Sequence, residues 1–272
     1  MGSLSDYAEL ELLDHVCNAA YSPVATVYVA LCTADPTDAG TGASMSECAD
    51  SGSYARTAIT FAAAASRAVD QTGAVTFPEA TGSWGTVTHW AIVDASAHGT
   101  GNMLAHGQFA SGKSIVSGNT PSIASGEIDV TFSAGEISDS LCIDLLDLMF
   151  RNQAYAAPDT YVALIITNPV TDGMTGSTIT EPSGGSYARE QVTPNGGAAP
   201  DWNNAAAGLV DNNDDITFTT ATANWGTIIA VAICSAVTAG DLLFYDNGMT
   251  DQAVDNGDTA KFPAGDLDIT MS

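Results

Sequence analysis

The chain carries nearly the same sequence twice, and that duplication constrains its fold more than any other feature. Gly52-Ser53-Tyr54-Ala55-Arg56 returns as Gly185-Ser186-Tyr187-Ala188-Arg189, an offset of 133 residues. Leu12-Leu13-Asp14 and Tyr28-Val29-Ala30-Leu31 return at the same offset, as Leu145-Leu146-Asp147 and Tyr161-Val162-Ala163-Leu164. Trp84-Gly85-Thr86 returns as Trp225-Gly226-Thr227 at an offset of 141, and Gly126, Ile128, Asp129 and Thr131 match Gly265, Leu267, Asp268 and Thr270 at 139. Colinear markers with small changes of offset describe a tandem duplication whose length changes fall in loops. A period of about 135 residues is too long for a solenoid repeat and fits a whole domain. The 272 residues therefore divide into two modules, 1–135 and 136–272, each long enough to bury its own core. Two copies of one module favour architecture and valency over a single catalytic centre.

Each module opens on a helical pattern. Leu10, Leu13, Val16 and Cys17 recur at helical spacing behind a Ser5-Asp6 cap, and Leu141, Leu145, Leu148 and Met149 follow Ser138-Asp139 in the same way. Pro23 and Pro158 act as stop signals. Strands are expected at 26–33, 54–61, 74–77, 87–94, 102–108 and 126–132, and in the second module at 160–167, 187–193, 215–218, 228–235, 241–245 and 265–271. The run 228–235 is almost wholly apolar, as in a strand covered on both faces. Ile128, Val130 and Phe132 alternate with Asp129 and Thr131, which predicts one buried and one wet face. Asp35-Pro36 and Asn168-Pro169 mark turns, and the Gly/Ser/Thr-rich stretches 37–52 and 170–185 read as long loops. The second module carries about eight extra residues, including Pro200-Asp201-Trp202, expected to project as a surface loop. The fold class expected is mainly β: two tandem β-sandwich modules, each preceded by a short N-terminal α-helix. The linker 133–137 is short, so the modules should sit close, in pseudo-twofold or pseudo-translational packing.

Composition narrows the function. Thirty-two acidic residues face six basic ones, for a net charge of −26. Such a chain repels phosphate backbones and anionic lipids, so neither nucleic acid nor a membrane is an expected partner. No apolar run reaches the length of a membrane span, and residues 1–13 lack the pattern of a signal peptide. The five cysteines, Cys17, Cys32, Cys48, Cys142 and Cys234, fall at unmatched positions in the two modules; Cys48, for example, aligns with Glu181. A duplicated disulfide or zinc site would have been copied, so buried free thiols are expected. The four histidines, His15, His89, His98 and His106, all lie in the first module without counterparts. No HExxH, G-x-S-x-G or P-loop pattern occurs. No catalytic, cofactor-binding or metal-binding residue emerges, and no cofactor is expected. Asp211-Asn212-Asn213-Asp214-Asp215 and Asp255-Asn256-Gly257-Asp258 offer oxygen ligands of calcium type but fit no EF-hand, and Asx-rich turns are their simpler reading. Arg56 and Arg189 are duplicated in a chain poor in cations. They could recognise a carboxylate or glycan, but a guanidinium holding loop carbonyls or an internal acid is the favoured reading. Trp84 and Trp225 read as core or edge aromatics, with a sugar-stacking platform as the alternative.

Taken together, segments 26–36, 52–56, 76–94 and 126–131, repeated at 160–169, 185–189, 217–227 and 257–270, resemble a family of small tailed-bacteriophage virion proteins of tail-fibre-like type. The likeness covers almost the whole chain, and a pattern that is typically single in the family occurs here twice. It implies a non-enzymatic virion structural protein, assembled in the host bacterial cytoplasm, that mediates subunit assembly in the tail as a fibre-like or adaptor protein. The implied partners are other virion proteins of the tail, neck or capsid, with a homo-oligomer in the particle. A trimer would be pseudo-sixfold and could match a sixfold tail ring. Two alternatives stay open: a capsid decoration or cement protein on the head, and a receptor glycan-binding module using Trp202 or the Trp84/Trp225 pair.

Overall fold

The computed structural model describes residues 2–132, 136–167 and 169–271. Module 1 runs β1 (Gly2–Leu4), α1 (Asp6–Cys17), β2 (Val27–Cys32), β3 (Thr57–Ile59), β4 (Ala68–Asp70), β5 (Val75–Thr76), β6 (Gly85–Val93), β7 (Met103–Ile115), β8 (Ser122–Ile123) and β9 (Asp129–Thr131). Module 2 runs α2 (Asp139–Arg151), β10 (Thr160–Ile165), β11 (Glu190–Val192), β12 (Leu209–Asp211), β13 (Ile216–Thr217), β14 (Gly226–Ile228), β15 (Ala230–Cys234), β16 (Leu242–Asp246), β17 (Gln252–Val254), β18 (Lys261–Phe262) and β19 (Asp268–Thr270). The chain is mainly β, with two tandem modules and one helix near the start of each.

Both helices begin where the sequence supplies a cap. Ser5 Oγ accepts the amide of Ala8 at 3.3 Å and Ser138 Oγ that of Leu141 at 3.2 Å, each satisfying a first-turn donor. The same hydroxyls donate to the carbonyls of Met103 and Leu242, so each helix start is tied to a strand of its own module. The buried stripes are Ala8, Leu12, Leu13, Val16 and Cys17 on α1, and Leu141, Leu145, Leu148 and Met149 with their neighbours on α2. Leu12 rather than Leu10 completes the first stripe.

The main sheet of module 1 has the order β3-β2-β6-β7-β1-β9-β4. Module 2 matches its first four strands as β11-β10-β15-β16, with Ile137 bridged to Phe244 in the place of β1, and pairs β19 with β12 as a separate two-stranded sheet. Three features depart from expectation. Strand β1 precedes α1 and enters the sheet between β7 and β9. Strands β4, β8, β12, β17 and β18 lie in stretches where no strand is expected. Strand β7 extends well past residue 108, and residues 109–112 bulge out where its pairing with β6 breaks between Val87 and His89. A bulge bends its strand and deepens the twist, which curls the sheet over its core. The reverse faces of the central strands are covered as well, by Met45 over Ala91 and Met103 and by Val170 over Ala230 and Ala232. That double cover accounts for the unbroken apolar runs.

The two modules meet through a reciprocal contact. Helix α1 packs on its own β7 and on β12 of the other module, while α2 packs on its own β16 and on β4. Asp14 Oδ1 accepts the amide of Ala205 at 2.9 Å, and Asp147 Oδ1 accepts that of Ala64 at 2.8 Å. These are matching positions of the two copies, at offsets of 133 and 141. A contact in which i meets j and j meets i is isologous, so the packing is pseudo-twofold and not pseudo-translational. The expectation of one core per module is corrected too. Leu13, Phe61, Val69, Leu145, Phe150, Trp202 and Val210 belong to one continuous buried cluster. Each helix stripe is wide enough to be covered half by its own sheet and half by its neighbour's, and Phe61 meets Phe150 edge-on at 5.4 Å across the boundary.

Residues 133–135 of the expected linker, and with them the boundary after 135, lie outside the described residues, as does Asn168 of the expected turn. Glu136 O accepts the amide of Tyr245 at 2.9 Å, so module 2 starts already paired to β16. The extent of the insertion also differs from expectation. Phe61 bridges Gln71 as Trp202 bridges Asn212, which makes Trp202 the counterpart of Phe61. The extra residues are thus 194–201; residues 194–199 are exposed, as expected of a surface loop, and the segment also reaches back to α1. Asn195 N donates to Asn18 Oδ1 and Asn18 Nδ2 to Asn203 O, both at 2.9 Å, clasping the C-terminal end of α1.

Candidate functional site

The duplicated Gly-Ser-Tyr-Ala-Arg segment builds the most elaborate polar arrangement in the molecule. Gly52 and Ser53 stand consecutively in the left-handed region, at φ +60° and +63°, and Gly185 and Ser186 do the same. A Cβ at position 52 would lie 2.9 Å from the Gly82 amide, so the first position of the turn requires glycine. The turn delivers Arg56 into the space between two long loops. Its Nε and Nη2 grip the Glu47 carboxylate at 2.9 and 2.8 Å, Nη1 donates to Ala95 O and Thr100 O at 2.9 and 2.8 Å, and Nη2 also donates to Gly42 O at 2.8 Å. Arg189 repeats this with Glu181, Ala236 O, Ala239 O and Gly176 O, at 2.7–3.2 Å. Every N–H of each guanidinium is engaged, so nothing is left to hold a substrate carboxylate or glycan.

Glu47 pairs with Arg56 as Glu181 does with Arg189, so Glu47, not Cys48, is the counterpart of Glu181. The offset changes by one residue inside the loop, where no marker reveals it. The Tyr54 hydroxyl donates to Glu47 at 2.8 Å and accepts the Leu31 amide at 3.0 Å; Tyr187 bridges Glu181 and Leu164 alike. Burial, and then the adjacent carboxylate, pushes both phenols up, so they stay protonated. Trp84 and Trp225 meet these tyrosines edge-on at 5.2 Å and donate to Gly52 O and Gly185 O. The whole set is a tie-down that fixes the loops 37–52 and 170–185 to the sheet.

The remaining candidates are dispersed. All four tryptophans are buried, Trp202 completely, with its Nε1 donating to Thr160 Oγ1 at 2.8 Å. None offers an exposed face for stacking a sugar, which removes the basis of the glycan reading. His15 Nδ1 accepts the Tyr21 amide at 2.9 Å, and burial pulls its imidazole below the ordinary range. His98 contacts Cys48 O at 2.9 Å, His89 contacts Thr88 at 2.8 Å, and His106 Nε2 lies 2.7 Å from Asp38 Oδ1. Asn212 is buried and bonds Asp214 O, Pro263 O and the Leu267 amide, while Asp215 pairs with Lys261. Asp258 caps the Asp255 amide at 3.0 Å. Among the described residues no group of three or more His, Cys, Asp and Glu is placed to hold a metal. The five cysteines are free and buried. Burial pushes Cys48 up to about 11 and Cys142 and Cys234 to about 12, with Cys17 and Cys32 raised further, which leaves them poor nucleophiles at neutral pH.

What recurs in both modules is thus architectural, and the comparison with known families agrees. A family model described as Podophage GP4 fiber I protein gp80 matches residues 3–131 and, a second time, 136–270. The chain belongs to this phage fibre family. It is a virion structural protein by family, and the two matches show the tandem duplication directly. No curated protein matches the chain. Among the described residues no helix of this fibre-family chain is long and apolar enough to cross a membrane.

Proposed function

We propose that the chain is a non-enzymatic subunit that mediates assembly in the phage tail, as a fibre-like or adaptor protein acting as a homo-oligomer. The observation that carries this reading is the fibre-family match running through both modules. The internal use of the duplicated Arg, Glu, Tyr and Trp residues supports it, because the repeated chemistry is spent on holding loops in place. The pseudo-twofold contact makes each chain a pre-paired unit, so one association event in the particle brings in two modules. A net charge of −26 keeps a crowded assembly soluble and directs it towards basic neighbours. The test is a protein count in purified particles, by quantitative mass spectrometry against the major capsid protein. A small multiple of the tail's rotational order is expected. A ratio close to that of the capsid protein would replace this reading with head decoration, and absence from particles would overturn it.

A further inference from the structure

Module 2 contains a cation site that module 1 reproduces without its cation. Arg67 reaches from module 1 to the start of α2, where its Nη1 donates to Ile137 O at 2.9 Å, Asp172 Oδ2 at 3.1 Å and Asp139 Oδ1 at 3.2 Å. The Tyr245 hydroxyl bonds the other oxygen of Asp172. The two aspartates and the backbone bond between them recur on the pseudo-symmetric side. Asp6 N donates to Asp38 O at 3.1 Å as Asp139 N donates to Asp172 O at 3.0 Å, so Asp6 and Asp38 stand where Asp139 and Asp172 do. His106, on Asp38, replaces Tyr245. Glu9 takes the place of Cys142 and adds a third carboxylate.

The missing part is the arginine, because Gly208 is the counterpart of Arg67. Phe132 N donates to Arg67 O as Met271 N donates to Gly208 O, and the two residues share the left-handed region, at φ +64° and +75°. A Cβ on Gly208 would lie 3.8 Å from Glu9 Oε2, so a side chain there would enter the carboxylate group.

We infer that Asp6, Glu9 and Asp38 form a receptor for a guanidinium group supplied by an arginine of a neighbouring virion protein. The second module shows the counterparts of Asp6 and Asp38, Asp139 and Asp172, already holding a guanidinium. Asp6 and Asp38 are exposed, so the group is accessible. Burial, and then Asp6 and Asp38, push the Glu9 carboxyl up to about 7. A second copy of this chain is not the donor, since Arg56, Arg67, Arg151 and Arg189 are all bonded within the chain. Arginine's planar fork suits clustered carboxylates better than an ammonium does. The site stands on the comparison of the two halves; that its donor is a virion protein rests on the assembly role proposed above.

The test is a carboxyl-detected NMR titration of the full-length protein with methylguanidinium. The side chains of Asp6, Glu9 and Asp38 should shift more than the rest of the 32 acids, and the titration midpoint of Glu9 should fall towards the ordinary carboxylate range. Gly208→Arg supplies the absent side chain in cis and should abolish the response at those three residues. The double variant Glu9→Gln/Asp38→Asn should lose it at Asp6, the one carboxylate of the three that it keeps, and decides the matter if the arginine variant does not fold. Equal shifts across the acidic surface, or an undiminished local response in a folded Gly208→Arg or in the double variant, overturns the site. A normal response in a protein absent from particles overturns the identity of the donor and leaves the site standing.

Discussion

Removing Arg56 should destabilise the whole molecule, and by more than removing its twin. The Arg56 side chain is 0% exposed and Glu47 3%, whereas Arg189 is 2% and Glu181 18%. Arg56→Ala leaves a carboxylate with almost no access to water, together with the carbonyls of Gly42, Ala95 and Thr100 that the guanidinium satisfied. Breaking a buried pair from one side costs about 3–5 kcal/mol. Because both modules share one core cluster, unfolding should be a single transition. At about 2–4 °C per kcal/mol for a unit of this size, Tm should fall by roughly 6–20 °C. Arg189→Ala should fall near the lower end, since Glu181 can recover part of its hydration. Arg56→Lys should not rescue, because three donors on a flexible stem cannot replace a five-donor fork. Arg56→Leu combined with Glu47→Leu should recover part of the loss, as neither charge is then left buried alone. Calorimetry at neutral pH gives all of these values. A fall of less than about 2 °C for Arg56→Ala, or a larger fall for Arg189→Ala, would refute the view that burial of the carboxylate sets the cost.

Further outcomes follow from the contact between modules and from the buried titratable groups. Asp14→Ala and Asp147→Ala each strand an amide of the other module at equivalent places, Ala205 and Ala64, and should each lower stability by about 1–3 kcal/mol in urea titrations; no loss from either one would argue against a reciprocal interface. Glu9 has a carboxyl raised to about 7, so its protonated form favours the fold; that contribution is complete below the unfolded value of about 4.3 and is lost as pH rises through 7. Glu9→Gln should therefore match the parent at pH 4 and exceed it at pH 8, by on the order of 1 kcal/mol after solvent screening, as read from urea midpoints at the two pH values. None of the five buried cysteines should react with a disulfide reagent at neutral pH in the native protein, and all should react in denaturant; fast reaction of any one would contradict its burial.

The duplication, the size of the module, the two capped helices and the apolar strands are all legible in the order of residues along the chain. Each of these depends on local pattern: a serine ahead of a stripe, an alternation of period two, a marker repeated in order. That order also showed that Arg56 and Arg189 mattered, since two of only six cations stand at matched positions. What those patterns pack against becomes visible in the folded molecule. A stripe on α1 shows that the helix is covered, but not that β12 of the other module supplies half of the cover. Short strands such as β4 and β12, three residues each, are defined by the partners they pair with, which lie far away in sequence. The loop between residues 37 and 52 hides a one-residue change of register, so Glu47 was recognisable as the partner of Arg56 only once the guanidinium was seen gripping it. Trp202 looked like part of an insertion because the extra residues beside it carry no internal mark of where they begin. The difference between Arg67 and Gly208, a single letter at equivalent turns, acquires meaning only when the pseudo-twofold contact brings each turn to the carboxylates of the opposite helix. Local composition dictates the elements, whereas the partners of each charged and apolar face are set by contacts between segments that lie from nine residues apart, as Glu47 and Arg56 do, to 191 apart, as Asp14 and Ala205 do.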